Sequence, residues 1–235
     1  MMIHWLIQTI DDHPALKHAT PPEGLLSDQE WGIFTQLKTE KRAHDWLMGR
    51  WTAKQLLHQL TNAPHSAIRI FNHANGAPYC PDFPQYSLSI SHSGDHAVCA
   101  VIEGEGLQVG VDLEHIEPRI DAFVEDYFTP EEQASIHQCE DKDRLITLLW
   151  SAKEAALKAL HIGLNIDVRA INCSLGMEAA EDWNPLTVSY AQPDSLTTNW
   201  YDGVPKTSRG QASGWWRQEG EYMLTLIALQ TETAQ

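Results

Sequence analysis

Two carboxylates stand close together in the segment Val109 to Glu114, which reads Val-Gly-Val-Asp-Leu-Glu. Side chains alternate between the two faces of a β-strand, so Asp112 and Glu114 are expected on one face and their apolar neighbours on the other. Two adjacent carboxylates repel each other unless a cation lies between them. Because Mg²⁺ binds one or two carboxylates together with substrate phosphates, the pair is a candidate metal site. The alternative is an edge strand with a solvated acidic face.

A third carboxylate and a cation follow in the segment Trp150 to Lys158, which reads Trp-Ser-Ala-Lys-Glu-Ala-Ala-Leu-Lys. At helical spacing, Trp150, Glu154 and Lys158 form one stripe along the helix. Such a stripe can bring an acid and an ammonium group to the same ligand. The alternative is an exposed Glu–Lys pair, which stabilises a helix by only about 0.2–0.5 kcal/mol.

The segment Ser89 to Gly94, Ser-Ile-Ser-His-Ser-Gly, carries a third group of polar side chains. Leu88 and Ile90 predict a half-buried strand that ends just before the glycine. The hydroxyl of Ser91, the imidazole of His92 and the turn amides would together make a cradle for phosphate. An ordinary turn with a structural histidine is the alternative.

The elements that must position these side chains are predicted from an internal repeat. Trp51 to Gln55 reads Trp-Thr-Ala-Lys-Gln, and Trp150 to Glu154 reads Trp-Ser-Ala-Lys-Glu. Both lie in helix-like stretches, at 42–60 and 144–161; a strand-like segment precedes each, and a glycine with an alternating strand follows. The sequence therefore predicts an α+β fold of two similar α+β halves related by pseudo-twofold symmetry, with the active site in the cleft between them.

The boundary between the halves is expected at the glycine-rich link Glu103 to Gly106. Residues 1–104 would form an N-terminal half with a cofactor-binding surface and the Ser-His-Ser segment. Residues 105–235 would form a C-terminal half with the metal-binding carboxylates and the catalytic helix. Since Gln55 occupies the place of Glu154 in the first half, and an amide is not an anionic ligand, one metal site per chain is expected.

The composition excludes several classes of function. The 235 residues carry a net charge of −16, whereas binding to a phosphate backbone requires clustered Lys and Arg, so a nucleic-acid partner is not expected. The four cysteines form no Cys-x-x-Cys pair, which argues against a disulfide framework or a zinc site. The chain begins without a signal-peptide pattern and contains no apolar run of roughly 20 residues, so we expect a cytoplasmic protein with no membrane partner.

In this order, the motifs resemble those of the 4′-phosphopantetheinyl transferase superfamily in its surfactin-type (Sfp-type, two-half, monomeric) form. The family's Gly-x-Asp-x-Glu motif stands at Gly110 to Glu114, and its Trp-x-x-Lys-Glu-Ala-x-x-Lys motif stands at Trp150 to Lys158. The Ser-x-Ser-His-Ser motif stands at Ser89 to Ser93. Upstream, Gly49 to Arg50 and Asn75 to Pro78 also match related motifs of the family.

The resemblance implies an enzyme with holo-[acyl-carrier-protein] synthase activity. Such an enzyme transfers the 4′-phosphopantetheine group from coenzyme A to a serine hydroxyl of an apo acyl or peptidyl carrier protein and releases adenosine 3′,5′-bisphosphate. The implied cofactor is Mg²⁺, with Mn²⁺ as an alternative, and coenzyme A is the substrate. The expected partner of the monomer is the carrier protein, which could belong to fatty-acid, polyketide, nonribosomal-peptide or lysine metabolism.

The same resemblance implies roles for individual residues. The metal ligands would be Asp112, Glu114 and Glu154, and the catalytic residues would be Glu154, Lys158 and Asp112. Lys158 would contact the diphosphate of coenzyme A, and Glu154 would act as the base, directly or through a water on the metal. The cofactor-binding residues would be Arg50, Gly76, Ser91, His92 and Lys158.

Two departures from the family pattern affect the cofactor site. Ala77 stands where Lys or Arg is frequent, and Asp45 stands where Arg is frequent. Contacts with the adenosine 3′-phosphate are therefore expected from Arg50, Arg42, Lys41 or Lys54.

Two other interpretations remain open from the sequence. A metal-dependent nuclease is one, because an Asp followed by Glu-x-x-x-Lys also occurs in such sites, although the acidic balance opposes it. A non-catalytic coenzyme A binding protein is the other, although the complete carboxylate set opposes it.

Overall fold

The computed structural model describes residues 1–163, 166–177, 182–191 and 209–231. The chain divides into two compact units, Met1–Gly104 and Glu105–Gln235. The five α-helices of the described residues are α1 (Asp28–Phe34), α2 (Glu40–Thr61), α3 (Asp121–Tyr127), α4 (Pro130–Gln138) and α5 (Lys142–Ala159). The strands are β1 (Ile3–Thr9), β2 (Phe71–Asn72), β3 (Pro78–Tyr79), β4 (Tyr86–Ser93), β5 (His96–Glu103), β6 (Leu107–His115), β7 (Ile171–Leu175), β8 (Asn184–Ala191), β9 (Arg209–Glu219) and β10 (Tyr222–Gln230).

The first unit is built on a three-stranded antiparallel sheet in the order β1-β5-β4, and α2 packs against it. Helix α2 begins where the Thr39 hydroxyl accepts a hydrogen bond from the Arg42 amide at 3.2 Å. It ends at Asn62, which adopts a left-handed conformation with φ 59°. The short β2–β3 ladder lies between α2 and β4 in the chain.

The second unit is built on a five-stranded antiparallel sheet in the order β6-β10-β9-β8-β7. Helix α5 packs on β6 and β10. Apolar residues of α5 are buried in the core, including Leu149, Ala152 and Ala156. These contacts fix which face of α5 meets the sheet and which stripe remains for polar side chains.

The two units share an order of elements. In each, the first strand pairs antiparallel with the last, β1 with β5 and β6 with β10, and the long helix lies between them in the chain. The α+β prediction is confirmed, and α2 and α5 match the predicted helical stretches 42–60 and 144–161 to within two residues at each end. Within the part of the chain that the structure describes, none of the helices has the length and apolar character needed to cross a bilayer.

Candidate active site

The first candidate site lies in the second unit, where β6 faces α5. Asp112 is only 3% exposed, and the flanking Val111 and Leu113 are buried as well. Strand alternation places Asp112 and Glu114 on the face of β6 that carries Gly110, and α5 packs on that face. The solvated acidic strand, the alternative from the sequence, is therefore wrong.

Gly110 determines how closely the strand and the helix approach. A Cβ atom at this position would lie 1.9 Å from the carbonyl oxygen of Ala155 and 2.7 Å from the amide nitrogen of Ala159. No side chain fits there, so the glycine allows the helix backbone to lie directly against the strand. Sequence reasoning assigned Gly110 no role beyond its place in a motif. Its pairing with the small helical residues Ala155 and Ala159, one turn apart, is the signal that would have identified it.

Two residues of the predicted helical stripe reach the two carboxylates of β6. The Lys158 ammonium donates a hydrogen bond to Asp112 Oδ1 at 2.6 Å. The indole N–H of Trp150 donates to the Glu114 carboxylate. The lysine side chain is 29% exposed, so it is only partly buried while its ammonium contacts a buried acid. Because Lys158 contacts Asp112, the alternative from the sequence, an exposed Glu154–Lys158 pair on the helix surface, does not describe this arrangement.

The charge of Asp112 repels the charge on each of the two other carboxylates of this site, Glu114 and Glu154. Burial raises the pKa of Glu114 to about 7; the Asp112 charge is the second cause, and Arg119, Lys158 and Trp150 act in the opposite direction. Burial also raises the pKa of Glu154, again with Asp112 as the second cause. The cluster therefore contains more negative charge than Lys158 neutralises, which favours the binding of a further cation.

The donor set suits a hard divalent ion, but its side chains are not gathered into a coordination shell. Within the described ranges, no group of three or more His, Cys, Asp or Glu side chains is placed to hold a metal. Asp112 binds the Lys158 ammonium instead. The predicted ligands Asp112, Glu114 and Glu154 thus form one electrostatic cluster of oxygen donors, the ligand type that Mg²⁺ prefers. Their side chains would have to converge to coordinate an ion.

The second candidate site is a cavity of about 370 Å³ in the first unit, bordered by α2, the β2–β3 segment and β4. This volume lies in the range of small-molecule sites, roughly 300–1,000 Å³. The lining combines cations, an aromatic ring and backbone, from Lys41, Arg42, Trp46, Arg50, Gly76 and His92 among others. Asp45 also lines the cavity, but Lys41, Arg42 and Arg50 outnumber it, so the cavity has the character of an anion site.

Arg50 is the most buried cation that lines this cavity, with 5% of its surface exposed. Its Nη2 donates to Asn72 Oδ1 at 2.6 Å, and Asn72 Nδ2 donates to the Gly76 carbonyl at 2.6 Å. The guanidinium lies 4.8 Å from the ring centroid of Trp46. Its Nε is buried and has no acceptor among the residues that the structure describes. Burial lowers the pKa of Arg50 to about 10, which leaves it charged at neutral pH, and the Glu30 carboxylate opposes that shift.

The structure separates residues that the sequence grouped together. Ile90 and His92 line the cavity, whereas Ser91 alternates to the other face of β4 and is buried, 7% exposed. Lys54 is fully buried and lies 2.6 Å from Glu30, so the expectation that it contacts the 3′-phosphate is wrong. The other three candidates for that contact all line the cavity: Lys41, Arg42 and Arg50.

Comparison with known proteins gives matches in both units. The 4′-phosphopantetheinyl transferase N-terminal domain matches residues 34–102, and the 4′-phosphopantetheinyl transferase superfamily matches residues 108–188. The chain is 26% identical over 171 residues to the 4′-phosphopantetheinyl transferase psf-1 of Bacillus pumilus, covering 72% of each protein. It is 27% identical over 187 residues to the human L-aminoadipate-semialdehyde dehydrogenase-phosphopantetheinyl transferase, covering 73% of this chain and 56% of the human protein.

Among solved structures, a holo-(acyl-carrier-protein) synthase from Bacillus anthracis in complex with CoA is similar with a TM-score of 0.37 and 23% identity. That similarity covers 43% of this chain and 93% of the synthase. The two family matches, one in each unit, together span more than half of the sequence, and both are matches to 4′-phosphopantetheinyl transferases. Because of these two family matches, the chain belongs to the 4′-phosphopantetheinyl transferase superfamily.

Proposed function

We propose that this enzyme transfers the 4′-phosphopantetheine group of coenzyme A to a serine hydroxyl of an apo acyl or peptidyl carrier protein, with Mg²⁺ as cofactor, and releases adenosine 3′,5′-bisphosphate. The observation that carries the proposal is the contact between Lys158 and Asp112, 2.6 Å long, within a cluster that also contains Glu114 and Glu154. Three coupled carboxylates beside the Lys158 ammonium suit a ligand made of a diphosphate and a divalent ion.

Recognition of coenzyme A is assigned to the cavity of the first unit. Arg50, Lys41 and Arg42 are the cations that would bind the adenosine 3′-phosphate. They would take the place of the cations that the family often has at the positions of Ala77 and Asp45. His92 would contact a phosphate from β4, and Gly76 would contribute backbone. Ser91 lies on the opposite face of β4 from His92, so any contact that Ser91 makes with coenzyme A would come from that other face.

The second unit would supply the chemistry. Asp112, Glu114 and Glu154 would hold Mg²⁺, which when bound would neutralise charge on the diphosphate. The Lys158 ammonium would move its hydrogen bond from Asp112 to a diphosphate oxygen and stabilise charge on the leaving group. Glu154 would accept the serine proton, directly or through a water on the metal.

The transfer itself is a displacement at phosphorus. The serine oxygen forms a bond to the phosphorus that carries pantetheine, and the bond from that phosphorus to the bridging diphosphate oxygen breaks. The electron pair remains on the leaving adenosine 3′,5′-bisphosphate, and the serine proton goes to Glu154.

Monomeric state, cytoplasmic location and the pseudo-twofold relation of the two units stay predictions.

The proposal is tested by incubating the enzyme with coenzyme A, Mg²⁺ and a panel of apo carrier proteins and measuring intact carrier mass. A gain of one phosphopantetheine on any carrier is the expected result, and the relative rates identify the preferred carrier class. The matched control is Glu154→Gln, which recreates the residue found at Gln55 of the first unit. Coenzyme A binding without transfer to any carrier would favour the non-catalytic binding protein, and retention on DNA at moderate salt would favour the nuclease.

A further inference from the structure

The second unit contains a fully buried ion pair, here called the second-unit pair, between Lys153 of α5 and Glu132 of α4. The Lys153 Nζ lies 2.9 Å from Glu132 Oε2. It also donates to the carbonyl oxygens of Val168, at 3.3 Å, and Ile171. A lysine ammonium has three donors, so all of them are used by one carboxylate and two backbone carbonyls.

The first unit contains a pair with the same construction, here called the first-unit pair, between Lys54 of α2 and Glu30 of α1. The Lys54 Nζ lies 2.6 Å from Glu30 Oε2, and both side chains are fully buried. It also donates to the carbonyl oxygens of Leu25 at 2.6 Å and His65 at 3.2 Å. Again one carboxylate and two carbonyls satisfy the ammonium.

The two glutamates also have matching environments. Each is the third residue of a helix and forms a capping box, in which its Oε2 accepts the amide of the N-cap residue. The other oxygen accepts a downstream backbone amide: that of Ile70 at 3.1 Å for Glu30, and that of Cys173 at 2.8 Å for Glu132. Each pair therefore connects a long helix to a capped short helix and to backbone that follows the long helix in the chain.

Both lysines lie beside the residues assigned to function. Lys153 immediately precedes Glu154 in α5, and Lys54 lies one helical turn after Arg50 in α2. The Glu30 carboxylate also acts on Arg50, because it raises the pKa of that guanidinium against the effect of burial. A buried anchor whose lysine and glutamate are both held by backbone groups allows little rotation or sliding of the helix that carries it.

We propose that these pairs are positioning residues with separate tasks: the first-unit pair holds Arg50 for coenzyme A binding, and the second-unit pair holds Glu154 and Lys158 for the transfer step. The inference rests on the proposed function. A purely structural pair would change the folded fraction of the enzyme, and its loss would not distinguish binding from chemistry.

The test compares two double variants of the full chain, Glu30→Gln with Lys54→Met and Glu132→Gln with Lys153→Met. Removing both charges avoids leaving one buried and uncompensated, and the glutamine oxygen can still accept capping amides. The control removes an exposed pair of the first unit, Asp11→Asn with Lys17→Met, whose ends lie 2.7 Å apart at the surface. Circular dichroism and urea unfolding select conditions in which every variant is folded.

The first double variant is expected to raise KM and the dissociation constant for coenzyme A by about tenfold or more with kcat little changed. The second is expected to lower kcat by about tenfold or more with KM little changed, the range seen when a partner that orients a functional group is lost. The control should match the parent. Parallel changes of kcat and KM in both double variants, or no change in either, would overturn the inference.

Transfer to a carrier by the parent enzyme distinguishes a failure of the proposed function from a failure of the positioning role. Absence of transfer to every carrier would refute the proposed function, and positioning would then be judged by amide hydrogen exchange. Faster exchange confined to α2 in the first double variant and to α5 in the second is the expected pattern. Uniform acceleration across the chain, or none, would overturn the positioning role whatever the activity of the enzyme.

Discussion

Replacing Glu114 with glutamine should stabilise the metal-free protein at alkaline pH. The pKa of Glu114 is raised from 4.5 to about 7, first by burial and then by Asp112. Between these values the folded state keeps a proton that the unfolded chain has released. The contribution of Glu114 to stability is therefore fully present below pH 4.5 and is lost as the pH rises through 7, where the folded state must carry the buried charge. Glu114→Gln removes that loss and keeps an oxygen that accepts the Trp150 indole N–H.

The size of the effect follows from the shift. At roughly 1.4 kcal/mol per pK unit, a rise from 4.5 to about 7 corresponds to about 3 kcal/mol. The Glu114 side chain is 24% exposed, so little discount for solvent screening is needed. We expect the variant and the parent to have similar free energies of unfolding near pH 4.5 and the variant to be more stable by up to about 3 kcal/mol at pH 8.

The measurement is urea unfolding with EDTA, followed by circular dichroism, across this pH range. Glu125→Gln on the exposed surface of α3 is the matched control and should show no such trend. Added Mg²⁺ should stabilise the parent more than the variant, because a ligand that binds the folded state stabilises it more the tighter it binds. A variant that is equally or less stable than the parent at pH 8 would contradict the electrostatic description of the cluster.

Four further outcomes are expected. Glu154→Gln should nearly abolish transfer to a carrier that the parent modifies well, and near-parent turnover would refute the role of Glu154 as base and ligand. Lys158→Ala should lower kcat on the order of 10²-fold, and excess Mg²⁺ should not restore it. Gly110→Ala should unfold or severely destabilise the protein in urea, because its Cβ would overlap the carbonyl of Ala155. His92→Ala should weaken coenzyme A binding more than dephospho-coenzyme A binding in calorimetry if the imidazole contacts the 3′-phosphate; equal losses would place it at the diphosphate, and no loss would make it structural.

The sequence predicted the elements well because local signals define them. Helix α2 matches its predicted stretch because apolar residues at helical spacing indicated it, and in the structure Thr39 and Asn62 cap its two ends. Period-two alternation identified the face of β6 that carries Asp112 and Glu114. Such signals depend on residues close in the chain, so they can be read without knowledge of the packing.

The sequence could not predict the burial or the partners of the charged groups. Lys54 follows Arg50 by one turn and has the same charge, yet Lys54 is bound to Glu30, while Arg50 lines a cavity. The alternation of β6 gave the face of Asp112 but not its burial, because that depends on the approach of α5 allowed by Gly110. These outcomes are set by contacts between residues distant in the chain, for which hydrophobic periodicity contains no signal.

Under the proposed function, the repeat accounts for a division of one reaction between the two units. Both long helices keep the same buried Lys–Glu anchor, so what differs is the charge beside it. One turn before its anchor lysine the first unit has Arg50, a cation that lines a cavity, where the repeat places Leu149 in the second unit. Immediately after its lysine the second unit has Glu154, where the first has Gln55. In the proposed function, anionic coenzyme A requires cations and the divalent ion requires carboxylates. Two units built around the same neutral Lys–Glu pair would provide these opposite charges separately.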